Sequence, residues 1–154
     1  MIQRNIKDDL NNFLKAGKSF EAGVLRLIFS VFKNKEIEKR GKGQEAMLVD
    51  EEIIDLLMKE AKKRKEAADI YKKGNREDLA EKEIKELEII KKYLPEELSA
   101  EEIEKIVNKA MAAVGATNIK DIGKKMAEAI KELRGRADMS AVGAMIKKKL
   151  ENGK

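Results

Sequence analysis

The chain has 154 residues, 42% of them hydrophobic and 41% charged, with a formal net charge of +5. Cys and His are both absent, which excludes disulfides, thiolate catalysis, Cys- or His-ligated metals and the commonest general base. Only 4% of residues are aromatic and Pro occurs once, so the composition describes an aliphatic core inside an almost wholly helical chain.

Ile2, Ile6, Leu10, Phe13 and Leu14 recur at helical spacing and predict a first amphipathic helix, closed at Gly17. Ser19 is placed to cap a second helix. Phe20, Val24, Leu27, Ile28 and Val31, with Leu25, Phe29 and Phe32 beside them, make that helix apolar around most of its circumference. It is predicted to be the central, most buried element, with a polar tail over Lys33 to Arg40. A loop at Gly41 to Glu45 follows. Asp50 is read as the cap of a third helix, whose first turn carries Glu51 and Glu52. Gly74 stops that helix and Asn75 is placed to cap a fourth, lined by Ala80, Ile84, Leu87, Ile90 and Leu94. Pro95 ends it.

Ser99-Ala100-Glu101-Glu102 is a capping box and opens a fifth helix. Gly115 closes it, and Thr117 or Asn118 caps a sixth through Leu133. Arg134 to Ala137 reads as a tight turn, after which Asp138 caps the last helix. The expected fold is all-α, with two packed helical subdomains. Residues 1–94 form four longer helices, 95–98 a junction, and 99–154 a three-helix bundle. Residues 1–98 hold 22 Lys and Arg against 21 Asp and Glu; residues 99–154 hold 12 against 8. The C-terminal part is therefore the basic part.

No chemistry-bearing constellation stands out. The hydroxyl candidates Ser19, Ser99 and Thr117 are accounted for as caps, and no Gly-x-Ser-x-Gly elbow or phosphate-binding glycine loop occurs. Paired carboxylates such as Glu51/Glu52 sit in first helical turns, where the helix dipole explains them. No catalytic, cofactor-binding or metal-ligating residue is assigned and no cofactor is expected. No apolar run reaches the ~20 residues that span a bilayer, and no signal-peptide core follows Met1. The chain is read as cytoplasmic, without a membrane partner.

Two basic clusters remain. Lys62-Lys63-Arg64-Lys65 has acidic neighbours at helical spacing, and a solvated helix face is the preferred reading. Lys120, Lys124 and Lys125 share one predicted helix, Arg134 and Arg136 flank Gly135, and Lys147 to Lys149 lie on the next. The free N–H groups at the start of that last helix could help hold phosphates. A plain turn with a capped helix needs the same residues, and spacing does not choose between the two.

At this corner Asp121-Ile122-Gly123-Lys124-Lys125-Met126 and Arg134-Gly135-Arg136-Ala137-Asp138 resemble the closing signature of the GatB/YqeY family. Tyr93-Leu94-Pro95-Glu96-Glu97-Leu98-Ser99 resembles its tyrosine–leucine–proline junction, and Gly74 to Ala80 the opening of the preceding helix. Leu25-Arg26-Leu27 with Lys33 to Ile37 resembles its N-terminal helix. Gly143 and Met139 depart from the family's pattern. The resemblance implies two helical domains, a stand-alone bacterial protein of the YqeY kind, and kinship with the tail of the tRNA-dependent amidotransferase B subunit. That enzyme is a carbon–nitrogen ligase with glutamine as amide donor, and its tail helps hold tRNA. The implied function is a non-catalytic tRNA-binding accessory module. Gly123, Lys124, Lys125, Arg134, Gly135 and Arg136 are its candidate RNA contacts. The alternative is a protein-interaction module docking onto an amidotransferase, synthetase or ribosomal partner.

Overall fold

The computed structural model describes residues 1–113 and 119–152; at 113, 119–125 and 150 it describes the backbone alone. Seven helices and no strand occur among the described residues: α1 (Ile2–Lys15), α2 (Ser19–Gly41), α3 (Asp50–Lys73), α4 (Glu77–Lys91), α5 (Ala100–Ala113), α6 (Ile119–Leu133) and α7 (Met139–Asn152). The chain divides into two compact units, Met1–Leu94 and Pro95–Lys154.

In the first unit, α1 packs on α2 and α3 on α4. Their shared core contains Ile6, Val24, Leu25, Ile28, Phe32, Ile53, Leu57 and Ile90. Phe29 meets Phe32 edge to face, with ring centroids 5.9 Å apart. The α2 helix is less buried than its composition predicts. Its inner face is sealed, but Leu27 is 54% exposed and Phe20 40%. A four-helix unit covers only one flank of α2, so a second apolar stripe is left at the surface.

Helix ends explain several departures from the expected caps. Gly17 takes a left-handed φ of 69°, and the N–H of Lys18 closes on the carbonyl of Phe13 at 2.9 Å. After α3 the left-handed residue is Asn75 (φ 55°), not Gly74, and the Arg76 N–H bonds the Tyr71 carbonyl at 2.8 Å. Asn75 thus ends one helix instead of capping the next; Asn tolerates this conformation better than other side-chain-bearing residues. Ser19 is likewise no cap, since the N-cap position belongs to Lys18. The N-cap of α3 is Val49, whose N–H donates to Glu52 at 3.0 Å. Asp50 instead accepts the Ile2 N–H at 3.1 Å and the Met1 amine at 2.8 Å. Chiefly through the Met1 bond, its carboxyl lies below the ordinary carboxylate range.

The α4 helix ends at Lys91, ahead of Pro95, and Tyr93 and Leu94 continue as hydrogen-bonded turn. Both pack against the first core. The Tyr93 hydroxyl donates to Asp9 Oδ2 at 2.7 Å. This bond links residues 84 apart in sequence and fastens α1 to the end of the unit. Burial first, and the Asp9 carboxylate second, push the Tyr93 phenol above its usual range.

The second unit is built on Val107, Leu133, Ala137 and Val142, joined by Leu98, Ile103, Ile106, Met111, Met139, Met145 and Ile146. Its capping box forms as spaced: the Ser99 N–H donates to Glu102 at 2.8 Å, and the Glu102 N–H to Ser99 Oγ at 3.2 Å. The expected Gly115, Thr117 and Asn118 signals lie outside the described residues.

Candidate functional site

The corner between α6 and α7 holds three of the candidate RNA contacts, Arg134, Gly135 and Arg136. After Leu133, Gly135 enters the left-handed region with φ 77°. Side-chain-bearing residues reach that region only with strain, so the turn requires glycine there. The Arg136 N–H then bonds the Leu133 carbonyl at 3.0 Å. Ala137 is buried, and Asp138 Oδ1 accepts the Ser140 N–H at 3.0 Å, capping α7.

The 96–98 segment is tied into this corner. The Leu98 N–H donates to the Arg136 carbonyl at 2.8 Å, and Arg136 Nε donates to the Glu96 carbonyl at 3.3 Å. Glu102 lies below the ordinary carboxylate range, first through its bonds with Ser99 and then through the nearby charges of Arg136 and Lys105. Arg136 is thus half-buried and has a structural task. Arg134 is half-buried and engaged as well, and the exposed Asp138 is also engaged. Gly135 is buried. Gly123, Lys124 and Lys125 lie on α6, where their side chains are outside the described residues. The structure therefore brings Arg136 together with Glu96, Leu98 and Glu102.

The remaining basic residues divide in two. Lys149 pairs with Glu104 at 3.1 Å. Lys147 and Lys148 are exposed on α7 and make no ion pair among the described residues. In the Lys62–Lys65 run, Arg64 turns inward. Its Nη1 donates to Glu60 at 2.9 Å and its Nε lies 3.1 Å from Glu86. The second contact is Coulombic, because the Nε–H is not aligned as a hydrogen bond. Lys63 meets the same Glu60 at 2.8 Å. That run is an intrahelical and interhelical brace, and Arg64 is withdrawn from any ligand.

Among the described residues no group of three His, Cys, Asp or Glu could hold a metal ion. Ser30 donates to the Arg26 carbonyl, a helix back-bond that does not activate a nucleophile. No described helix is long and apolar enough to cross a membrane.

Residues 3–150 match the family described as Yqey-like protein. The chain belongs to the YqeY-like family. It is similar to a protein of Lachancea thermotolerans called altered inheritance of mitochondria protein 41, with 37% identity over 90 residues, covering 58% of this chain and 46% of that one. The bearer of the same name in Vanderwaltozyma polyspora is 28% identical over 154 residues, covering 96% of this chain and 80% of the relative. A Schizosaccharomyces pombe protein is 32% identical, covering 64% and 76%. The chain thus spans less than half of the Lachancea relative and about four-fifths of the Vanderwaltozyma one. These relatives correct the expectation of a bacterial protein: they are yeast proteins, and two of the three are named as mitochondrial.

Sequence reasoning missed the contribution of the 96–98 segment to the corner, and it missed a groove in the first unit. The groove has a volume of about 840 Å³ and lies between α1, Phe29 of α2 and the start of α3. Neither leaves a local sequence signal, since each depends on residues more than 30 positions apart meeting in space.

Proposed function

We propose that this YqeY-like protein is a non-catalytic accessory module in tRNA-linked chemistry, its second unit resting on the phosphate backbone of a folded RNA. The observation that carries the reading is charge segregation in a family member. Residues 99–154 hold 12 Lys and Arg against 8 Asp and Glu, while the longer first part is nearly balanced. Phosphate contacts need cations and exposed donors, and Lys147 and Lys148 supply both. The region lacks aromatic side chains, so shape and phosphate contacts dominate over base stacking. The module works where tRNA works: in the cytoplasm, or in the mitochondrion that its relatives' names give.

The test is filter binding to tRNA and to unstructured RNA at two salt concentrations. Binding should prefer tRNA and fall steeply with salt. Replacing Lys124 and Lys125 by Ala should flatten the salt slope by about one unit per lost contact. Salt-independent binding, equal affinity for unstructured RNA, or no binding overturns the proposal.

A second reading, docking onto a protein of the translation machinery, is favoured by one observation. Beside the groove of the first unit, Met47 and Val49 are 68% and 55% exposed.

A further inference from the structure

The groove of the first unit has an apolar floor and a basic rim. Leu10 of α1, Phe29 of α2, Leu48 and Ile53 form the floor. All four also belong to or pack against the hydrophobic core, so the floor is rigid. Met47 stands at the lip, and the loop that carries it is held in place. Lys39 Nζ donates to the Met47 carbonyl at 3.0 Å and to Glu52 at 2.8 Å. An unbranched thioether on a fixed backbone adapts to a partner's side chains without reordering the main chain.

The rim carries two cations on one edge. Several cations elsewhere on the unit are paired: Lys33 with Glu36, Lys35 and Lys42 with Glu38, Lys63 with Glu60, Arg76 with Asp78. On the groove edge Arg4 and Lys7, one turn apart on α1, make no ion pair among the described residues. Asp50, an acid on the same rim, is occupied by the Ile2 N–H and the Met1 amine. Asp8 is the one carboxylate there without such a partner, and it does not offset both cations.

We infer that this groove docks an amphipathic helix of a partner protein, whose apolar stripe lies over Leu10, Phe29 and Met47 and whose flanking carboxylates meet Arg4 and Lys7. The inference deepens the protein-docking reading and is independent of RNA binding by the second unit. An open depression with apolar anchors suits side chains at i, i+3 or i+4, and i+7 of a helix. The paired rim cations set its polarity and favour an acidic flank over a basic one.

The experiment uses the full chain and two synthetic helical peptides with the same Leu/Met stripe, one flanked by Glu and one by Lys. Binding is read by fluorescence anisotropy, and the contact face by amide shifts of Arg4, Lys7, Leu10 and Met47. The Glu-flanked peptide should bind about tenfold or more tightly than the Lys-flanked one, the sum of two charge contacts near 0.7 kcal/mol each. The R4E/K7E variant should reverse that preference while keeping its melting temperature, since both side chains are exposed. Equal binding of both peptides, unaltered in R4E/K7E, overturns the acidic-helix inference and leaves protein docking standing. No binding of either peptide overturns both. Concentration-dependent self-association that shifts the same amides, or shifts of those amides by tRNA alone, assigns the face to a second copy or to RNA and also overturns the inference.

Discussion

Replacing Arg64 by Met removes one positive charge from between two carboxylates while keeping most of the aliphatic stem. The Arg64, Glu60 and Glu86 side chains are 12%, 10% and 11% exposed. In the wild type Glu60 accepts from both Arg64 and Lys63, at 2.9 and 2.8 Å, whereas Glu86 faces Arg64 at 3.1 Å. The R64M variant therefore leaves Glu60 half-compensated and deprives Glu86 of the guanidinium. Orphaning a buried charge costs about 3–5 kcal/mol. With Lys63 retained, the low end applies, about 3 kcal/mol. For a unit of this size that lowers the melting temperature by roughly 12 °C or more. Urea unfolding followed by circular dichroism measures it. The triple variant R64M/E60L/E86L, with no charge left to orphan, should return to within about 1 kcal/mol of the wild type. A loss below about 1 kcal/mol in R64M, the range of exposed pairs, would falsify the brace. A triple variant as unstable as R64M would show that side-chain shape, not unpaired charge, carries the loss.

Tyr93→Phe should cost about 1.5–3 kcal/mol, the value of a hydrogen bond to a charged acceptor, measured by denaturant midpoint. Because the folded state raises the Tyr93 phenol, this stability is present below its ordinary value of 10.0 and disappears as pH rises above it. An alkaline unfolding midpoint unchanged in Tyr93→Phe would contradict the link. Glu38 is held at about 2 by its bonds to Lys42 and then Lys35. A carboxyl carbon titration by NMR should find it ionised at about pH 3 in the folded chain and closer to its ordinary value in high salt. The favourable linkage exists above its ordinary 4.5 and is lost as pH falls toward 2. Gly135→Ala should destabilise the second unit by about 1–2 kcal/mol, since alanine must enter a left-handed φ. Gly143→Ala should do the opposite and stabilise by about 0.5–1 kcal/mol; the glycine lies inside α7 with no atom within 4 Å of an added Cβ.

Local physics made much of this chain legible. Helical periodicity placed the helices, because an apolar stripe is encoded within one or two turns, although the caps expected at Ser19, Asp50 and Asn75 fell to Lys18, Val49 and Arg76. Ser99 with Glu102, and Asp138 ahead of Ser140, formed the bonds their spacing implies. The family resemblance rested on ordered local motifs and agrees with the match over residues 3–150. The tertiary structure decided what those segments do to one another. Composition could not say which flank of α2 stays exposed, because burial depends on how many neighbours a four-helix unit supplies. Nor could it say that Asn75, not Gly74, takes the left-handed step, since the two lie side by side and either residue allows it. Arg64 and Arg136 both read as surface cations from sequence. One lies half-buried between Glu60 and Glu86 and the other is bound to the Glu96 carbonyl. Charge is written in the sequence, but the partner that a charge finds is settled by chain folding, across 22 residues for Arg64 and 40 for Arg136.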